Sequence, residues 1–427
     1  MKAVALFAGL AAVALVSVAM MSATGGAPST PGLAVTVDEA LEHVESVRGV
    51  ELATGVPVHV LSDVEFEIRS NGEPAYGQGA DLRLAVERAL GSEVVDDPEL
   101  LADDVSSSVL GFYDPGLRGI VVRDVPVTDE LARTVVHELV HAVQDQIHGL
   151  GDVADPSSDA WLAHRSLVEG EAVLVADLWS DQRSAAGTTG EETTAAVLPL
   201  GFLADFYTPY LVGPSYVDFA TEGDLSRVHE LFEEAPASMV ELLWPHLVAG
   251  RPVEWPDEPT GVGVVESRDR RGPWHLALVT AARLDLGSGW RAGLAWADDD
   301  FVVHTTADGM VCVAWTIAAR PGHEAEMHLL VERLARSLPA GTADGSRLDA
   351  CDSGAEMDLT TPNEALDLLL ALSASVRLNH LLGGDRASAC SVGGLLASGV
   401  GLRELFETVE RVSAGDLPDW SGKTSCS

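Results

Sequence analysis

Lysine is almost missing from this 427-residue chain: it occurs only at Lys2 and Lys423, so arginine carries nearly all of the positive charge. Against 66 Asp and Glu stand 26 Lys and Arg, a formal net charge of -40. That deficit excludes a general nucleic-acid binder and argues against docking on anionic membrane surfaces, since both need clustered cations. Solubility outside the cell explains the acidity without a special cationic partner. Cysteine is absent before Cys312. The four present, Cys312, Cys351, Cys390 and Cys426, show no CxxC spacing, which argues against a cysteine metal site. No GxSxG elbow, glycine-rich phosphate loop or internal repeat occurs, and past residue 21 no apolar run is long enough to span a bilayer.

The one long apolar run is at the start. Lys2 is followed by an unbroken stretch from Ala3 to Met21 and then by small residues suited to cleavage after Ala23 or Ala27. This is the pattern of a secretory signal over 1–27, with an uncleaved N-terminal membrane anchor as the alternative. A secreted or extracytoplasmic chain can oxidise its cysteines, so one or two disulfides are expected in the C-terminal third, with three pairings open. Hydrophobic residues make up 47% of the chain, enough for a large core and against disorder. A Pro-rich acidic stretch from Pro252 to Pro259 suggests a boundary, giving expected units at 28–251, 252–340 and 341–427.

The stretch richest in chemistry is VVHELVHAVQDQ, Val135 to Gln146. On a helix, His137 and His141 are one turn apart and project from the same face, so both rings can reach one ion at roughly 2.0 to 2.1 Å. Glu138, beside them, is placed to take a proton from water at that ion and return it to a leaving amine. Thr128 is a fitting N-cap, Asp129 and Glu130 suit the first turn, and Leu131, Val135, Leu139 and Val143 form an apolar stripe that Gly149 ends. The bland alternative is a solvated helix face that happens to carry two histidines.

Zinc held by two imidazoles needs a third protein ligand and an open position. Glu169 is the best candidate. It lies in AWLAHRSLVEGEAVLVADLW, a run that Ser157 or Ser158 could cap and that is apolar on nearly every face, hence buried. An ionised carboxylate there costs several kcal/mol unless a cation offsets it. Gly170 permits close approach of another backbone. Glu171 competes for the ligand role from another face of the helix, and Asp145 or Asp177 could orient a ligand histidine.

With these residues in place, the run VLGFYDPGLRGIVVRDVPVTDELARTVVHELVHAVQDQ followed by SLVEGEA resembles a largely uncharacterised group of secreted zinc metallopeptidases of the gluzincin type. The resemblance covers about Val44 to Gly250 and thins beyond it. It implies a zincin-like catalytic domain, one Zn2+ held by His137, His141 and Glu169, Glu138 as catalytic base, and a peptide or protein substrate. Gluzincins often carry an acid shortly after the ligand glutamate. Here Gly170, Glu171, Ala172 and Val173 follow, so the partner of the histidines is left open. No role falls to His246. A secreted binding or adhesion protein that keeps a zincin fold without turnover is the second reading.

The expected fold class is α+β: the zincin-like domain with a β-hairpin before the active-site helix, a smaller α+β unit, and a helical, disulfide-stapled C-terminal part. Upstream, helices are expected at Val37 to Val47 and Ala80 to Leu90, with a strand at Pro57 to Leu61. VLGFYD and GIVVRD read as the hairpin, and either strand could pair with an extended substrate. The aromatic segment FYTPYLVGPSYVDFA resembles a family stretch of the form PYxxGxxF and offers Tyr210, then Tyr216 and His229, as donors to a developing oxyanion, with core packing as the alternative for each. Farther on, strands are expected at Ala292 to Ala297, Phe301 to Thr305 and Val311 to Ala318. Helices follow at His323 to Leu338, Pro362 to Leu382 and Leu402 to Val412. His304, His323, His328 and His380 are lone histidines and are not counted as ligands.

Overall fold

Short-range signals start and stop most of the elements. The computed structural model describes residues 32–52, 54–70, 80–94, 109–150, 155–183, 198–248, 253, 255, 263–338, 340–353 and 359–416. The leader at 1–27, its cleavage sites, the linker around 185–194 and Cys426 fall outside these residues. Helix α1 (Leu33–Arg48) leads into strand β1 (Val58–Leu61), α2 (Asp63–Ser70) and α3 (Ala80–Ala89). The hairpin β2 (Gly111–Asp114) and β3 (Gly119–Arg123) precedes α4 (Asp129–Ile147), the motif helix. The Thr128 hydroxyl accepts from Leu131 N–H at 3.1 Å to cap α4, and Gly149, at φ 75°, ends the turn beyond it.

Two long helices follow, α5 (Ser158–Arg183) and α6 (Leu200–Thr221), then the short α7 (Val228–Glu233) and α8 (Met239–Leu243). Helix α6 is the whole aromatic segment, and it carries Pro209 and Pro214 in its interior. Each proline removes a backbone donor, yet the helix continues because its apolar side chains are buried on several faces. The remaining elements are β4 (Val264–Asp269), α9 (Gly272–Arg283), α10 (Leu286–Ala295), β5 (Trp296–Thr305), β6 (Val311–Ala319) and α11 (Glu324–Ser337). They are followed by β7 (Thr342–Asp344), β8 (Arg347–Cys351), α12 (Pro362–Leu381), α13 (Arg386–Ala397) and α14 (Leu402–Ser413).

The class is therefore mixed α+β. One sheet has the order β1-β3-β2, with β1 parallel and β2 antiparallel to β3; the other, β4-β5-β6-β8-β7, is antiparallel throughout. Ala292–Ala295, expected as strand, are the end of α10. The Asp285 carboxylate caps that helix by accepting from Ser288 N–H at 2.7 Å. Gly289 and Gly293 then let it lie against α9 and Trp244: a Cβ on Gly289 would stand 2.4 Å from Ala277 O, and one on Gly293 2.4 Å from the Trp244 ring. Packing thus overrides the low helix propensity of two glycines.

Apolar burial is organised in two clusters. The first surrounds α4, where Leu131, Val135, Leu139 and Val143 form the expected stripe and meet Ile120 and Val122 of β3 and Leu33 and Val44 of α1. The second runs from Leu84 to Val412 and joins side chains from all three expected sequence segments, with Trp244, Trp274, Trp290, Trp296 and Trp315 buried in it. Cys312 and Cys351 form a disulfide between paired positions of β6 and β8, so this bond staples the sheet rather than the C-terminal helices. Cys390 of α13 is disulfide-bonded as well.

Candidate metal centre

Helices α4 and α5 pack side by side, and the three expected ligands converge between them. His137 Nε2 lies 3.1 Å from Glu169 Oε2, His141 Nε2 lies 3.4 Å from that oxygen, and the two Nε2 atoms are 3.1 Å apart. Ligand atoms at the corners of a tetrahedron around zinc, each about 2.0 to 2.1 Å from the metal, are separated by roughly 3.3 Å. The spacing therefore fits one small divalent ion, and the donor set suits it too: two neutral imidazoles and one carboxylate. Among the described residues this is the group of three or more His, Cys, Asp or Glu that could hold a metal ion. All three side chains are buried.

The hydrogen bonds around His141 settle its tautomer. Gln144 Nε2 donates to Val168 O and to Glu171 Oε2, both at 2.9 Å, which leaves Gln144 Oε1 facing His141 Nδ1 at 2.8 Å. An amide oxygen can only accept, so Nδ1 carries a proton and Nε2 is the nitrogen that could hold an ion. Glu171 is itself held by a buried ion pair with Arg48 at the end of α1. Of the two acids on α5, Glu169 faces the imidazoles and Glu171 faces Arg48, so Glu169 is the one that stands where a third ligand could be.

Asp145 and Asp177 do not orient a ligand histidine. Asp145 accepts from the Tyr113 hydroxyl at 2.7 Å and from Leu150 N–H at 3.1 Å, while Asp177 pairs with Arg133 at the surface at 2.7 Å. Gln144, one turn beyond His141, takes that task, and its position i+3 to the histidine was the available signal. Arg48 had no such signal, since it arrives from a distant helix.

Glu138 is buried beside the two histidines, and its Oε2 accepts from Tyr113 N–H of β2 at 2.7 Å. Burial holds its carboxyl above the usual range despite His137 and His141, the direction that would suit a general base. Glu169 moves the other way. Burial opposes its ionisation, yet His141, His137 and Arg165 together hold it well below the ordinary value. Burial works against charge on His141, yet Glu169, Glu138 and Gln144 together raise it to about 9.

Strand β3 has neighbours on both sides, which rules out Gly119–Arg123 as a strand that could add a substrate; β2 remains the edge. Arg123 N–H donates to Leu110 O, and with alternating bonds along an antiparallel pair this turns the Gly111 and Tyr113 backbone groups outward, toward Glu138. Tyr210 lies at the site, its ring stacked on His137 at 6.1 Å between centroids. Tyr216 packs between the two apolar clusters, and His229 bonds Ser226 O at 3.0 Å, so neither stands at the centre. The unanticipated neighbour is Arg165, one turn before Glu169, whose Nε lies 3.5 Å from Glu169 Oε1. Compared with protein-family models, with curated proteins and with solved structures, the chain matches none.

Proposed function

We propose that this chain is an exported, single-zinc peptidase of the gluzincin type, with a zincin-like catalytic domain built around α4 and α5. The observation that supports it most is the convergence of His137 Nε2, His141 Nε2 and Glu169 Oε2 within 3.4 Å of one another, with the Glu138 carboxylate beside them. When bound there, zinc supplies Lewis acidity that polarises a carbonyl and makes water more acidic. His137, His141 and Glu169 would hold it. Glu138 accepts the proton of the attacking water and passes it to the nitrogen of the departing amine, so that the C–N bond breaks and an acid and an amine leave. Tyr113 N–H keeps the Glu138 carboxylate in place. Tyr210 donates to the oxygen that gains charge. With Tyr113 N–H given to Glu138, the outward Gly111 backbone groups and the Tyr113 carbonyl are what β2 offers to an extended peptide.

Export rests on the leader pattern of residues 1–27; among the described residues no helix is long and apolar enough to cross a membrane. The test is metal analysis of purified protein beside a casein or peptide digest with and without chelator. Glu138→Gln is expected to keep one zinc and lose hydrolysis, whereas His141→Ala loses both. Zinc bound with no cleavage of any peptide would overturn the peptidase reading and leave a binding protein of the same fold.

A further inference from the structure

Arg165 is a partly buried cation beside a candidate cation site, in a chain of net charge -40. Its guanidinium is fixed from several sides. Nε points to Glu169 Oε1 at 3.5 Å, and its central carbon sits 5.3 Å from the Trp161 ring centroid and 6.0 Å from that of Tyr210. The Glu169 oxygen it approaches is the one turned away from the imidazoles, so a single carboxylate is shared between the ion position and the arginine.

Two donors stand beside the centre. The Tyr210 ring lies 6.0 Å from the guanidinium carbon and stacks on His137, so its hydroxyl is one of them. Arg165 Nη1 is buried and, among the described residues, has no hydrogen-bond acceptor. A buried charged donor without an acceptor is costly to maintain, and an oxygen supplied by a ligand removes the cost. Were a divalent ion held there, it and Arg165 would share Glu169, positive charge at the centre would exceed what Glu169 and Glu138 neutralise, and the missing partner would be an anion.

We infer that Arg165 and Tyr210 form an anion subsite of this centre, in which Arg165 Nη1–H and the Tyr210 hydroxyl bind a negatively charged oxygen of the ligand. The subsite takes its place in catalysis from the peptidase reading above. That reading supplies two sources of such an oxygen, a carbonyl oxygen gaining charge under attack and the free carboxylate at a peptide's C-terminus.

The experiment titrates inorganic phosphate calorimetrically into the wild type, Arg165→Met, Arg165→Lys and Tyr210→Phe, each zinc-loaded and chelator-stripped, with metal content and thermal unfolding as controls. Loss of a charge-assisted hydrogen bond is expected to weaken phosphate about tenfold or more in Arg165→Met, and less in Tyr210→Phe. Phosphate binding at wild-type strength in a folded Arg165→Met overturns the inference. Should neither arginine variant fold, unchanged binding in Tyr210→Phe does the same.

A peptide pair with free and amidated C-termini separates the sources. If the terminal carboxylate is bound, amidation raises KM about tenfold in the wild type and makes no difference in Arg165→Met. If the developing oxyanion is bound, the variant loses kcat equally on both peptides. Failure of the peptidase reading looks different: a protein that takes up no zinc and cleaves nothing, yet whose stripped form still binds phosphate through Arg165, keeps the subsite and loses the enzyme.

Discussion

Replacing Gly170 with alanine sets helix propensity against packing, and the two disagree in sign. Alanine in a helix interior is worth about 1 kcal/mol over glycine, so propensity alone makes Gly170→Ala stabilising. In the folded chain a Cβ at that position would stand 2.3 Å from Gly213 C and 2.6 Å from Gly213 O, backbone atoms of α6 that have no rotamer by which to escape. Ordinary contact begins near 3.4 Å, so α5 and α6 must part by about 1 Å. Overpacking of this kind costs typically 1 to 3 kcal/mol, with rigid backbone on the far side placing it at the upper end. The net expectation is a loss of about 2 kcal/mol. Function should suffer separately, because α5 carries Glu169 and α6 carries Tyr210, one turn before Gly213: kcat falls while one zinc is retained. Urea denaturation followed by tryptophan fluorescence, beside steady-state kinetics and metal analysis, measures both effects. A raised denaturation midpoint, or a lowered one with unchanged kcat, would refute the argument that this glycine contact seats tyrosine over the centre.

Removing Arg48 strands the Glu171 carboxylate, which among the described residues is ion-paired with no other cation, so Arg48→Met is expected to cost about 3 to 5 kcal/mol, and Arg48→Met with Glu171→Gln to recover most of that in the same denaturation assay. Free zinc at one hundred times its dissociation constant should stabilise the wild type by about 2.7 kcal/mol and leave His141→Ala unmoved, as read from melting curves with and without metal. Asp159, at the start of α5, is raised by burial to about 7 even though Ser238, Arg270 and Met239 N–H favour its charged form. The folded state therefore binds a proton that the unfolded state has lost. The contribution of Asp159 to stability is complete below about pH 4 and disappears as pH rises through about 7. Asp159→Asn should flatten the stability profile between those values. A profile unchanged by the substitution would sink the assignment. Asp205, depressed to about 2 despite burial because His275, Arg271 and Arg83 face it, acts in a lower window and in the opposite direction.

What could be read from the sequence was whatever depends on neighbours within one or two turns. The i, i+4 histidines, the Thr128 cap, the apolar stripe of α4 and the β2–β3 hairpin are all such features, and the structure has each of them. Glu169 was reachable by a longer step, because an acid on an apolar helix demands a partner; the same step pointed equally at Glu171. What separates the two is Arg48, which arrives from α1 and claims one of them. The second histidine's partner shows the same limit. An acid was sought at Asp145 or Asp177 because carboxylates are the usual orienters, but Asp145 is taken by Tyr113 of the hairpin and Asp177 by Arg133. The amide of Gln144 is free for the task because Val168 O and Glu171 occupy its nitrogen. Each miss is therefore a contest between two local candidates decided by a residue far away in the chain. In this site those distant residues have a direction: Arg48 acts through Glu171 and Gln144 on one face of the ion position, and Tyr210 and Arg165 stand on another. Pairing on the first face fixes a tautomer, and the arginine donor left unspent on the second is what the proposed anion would bind.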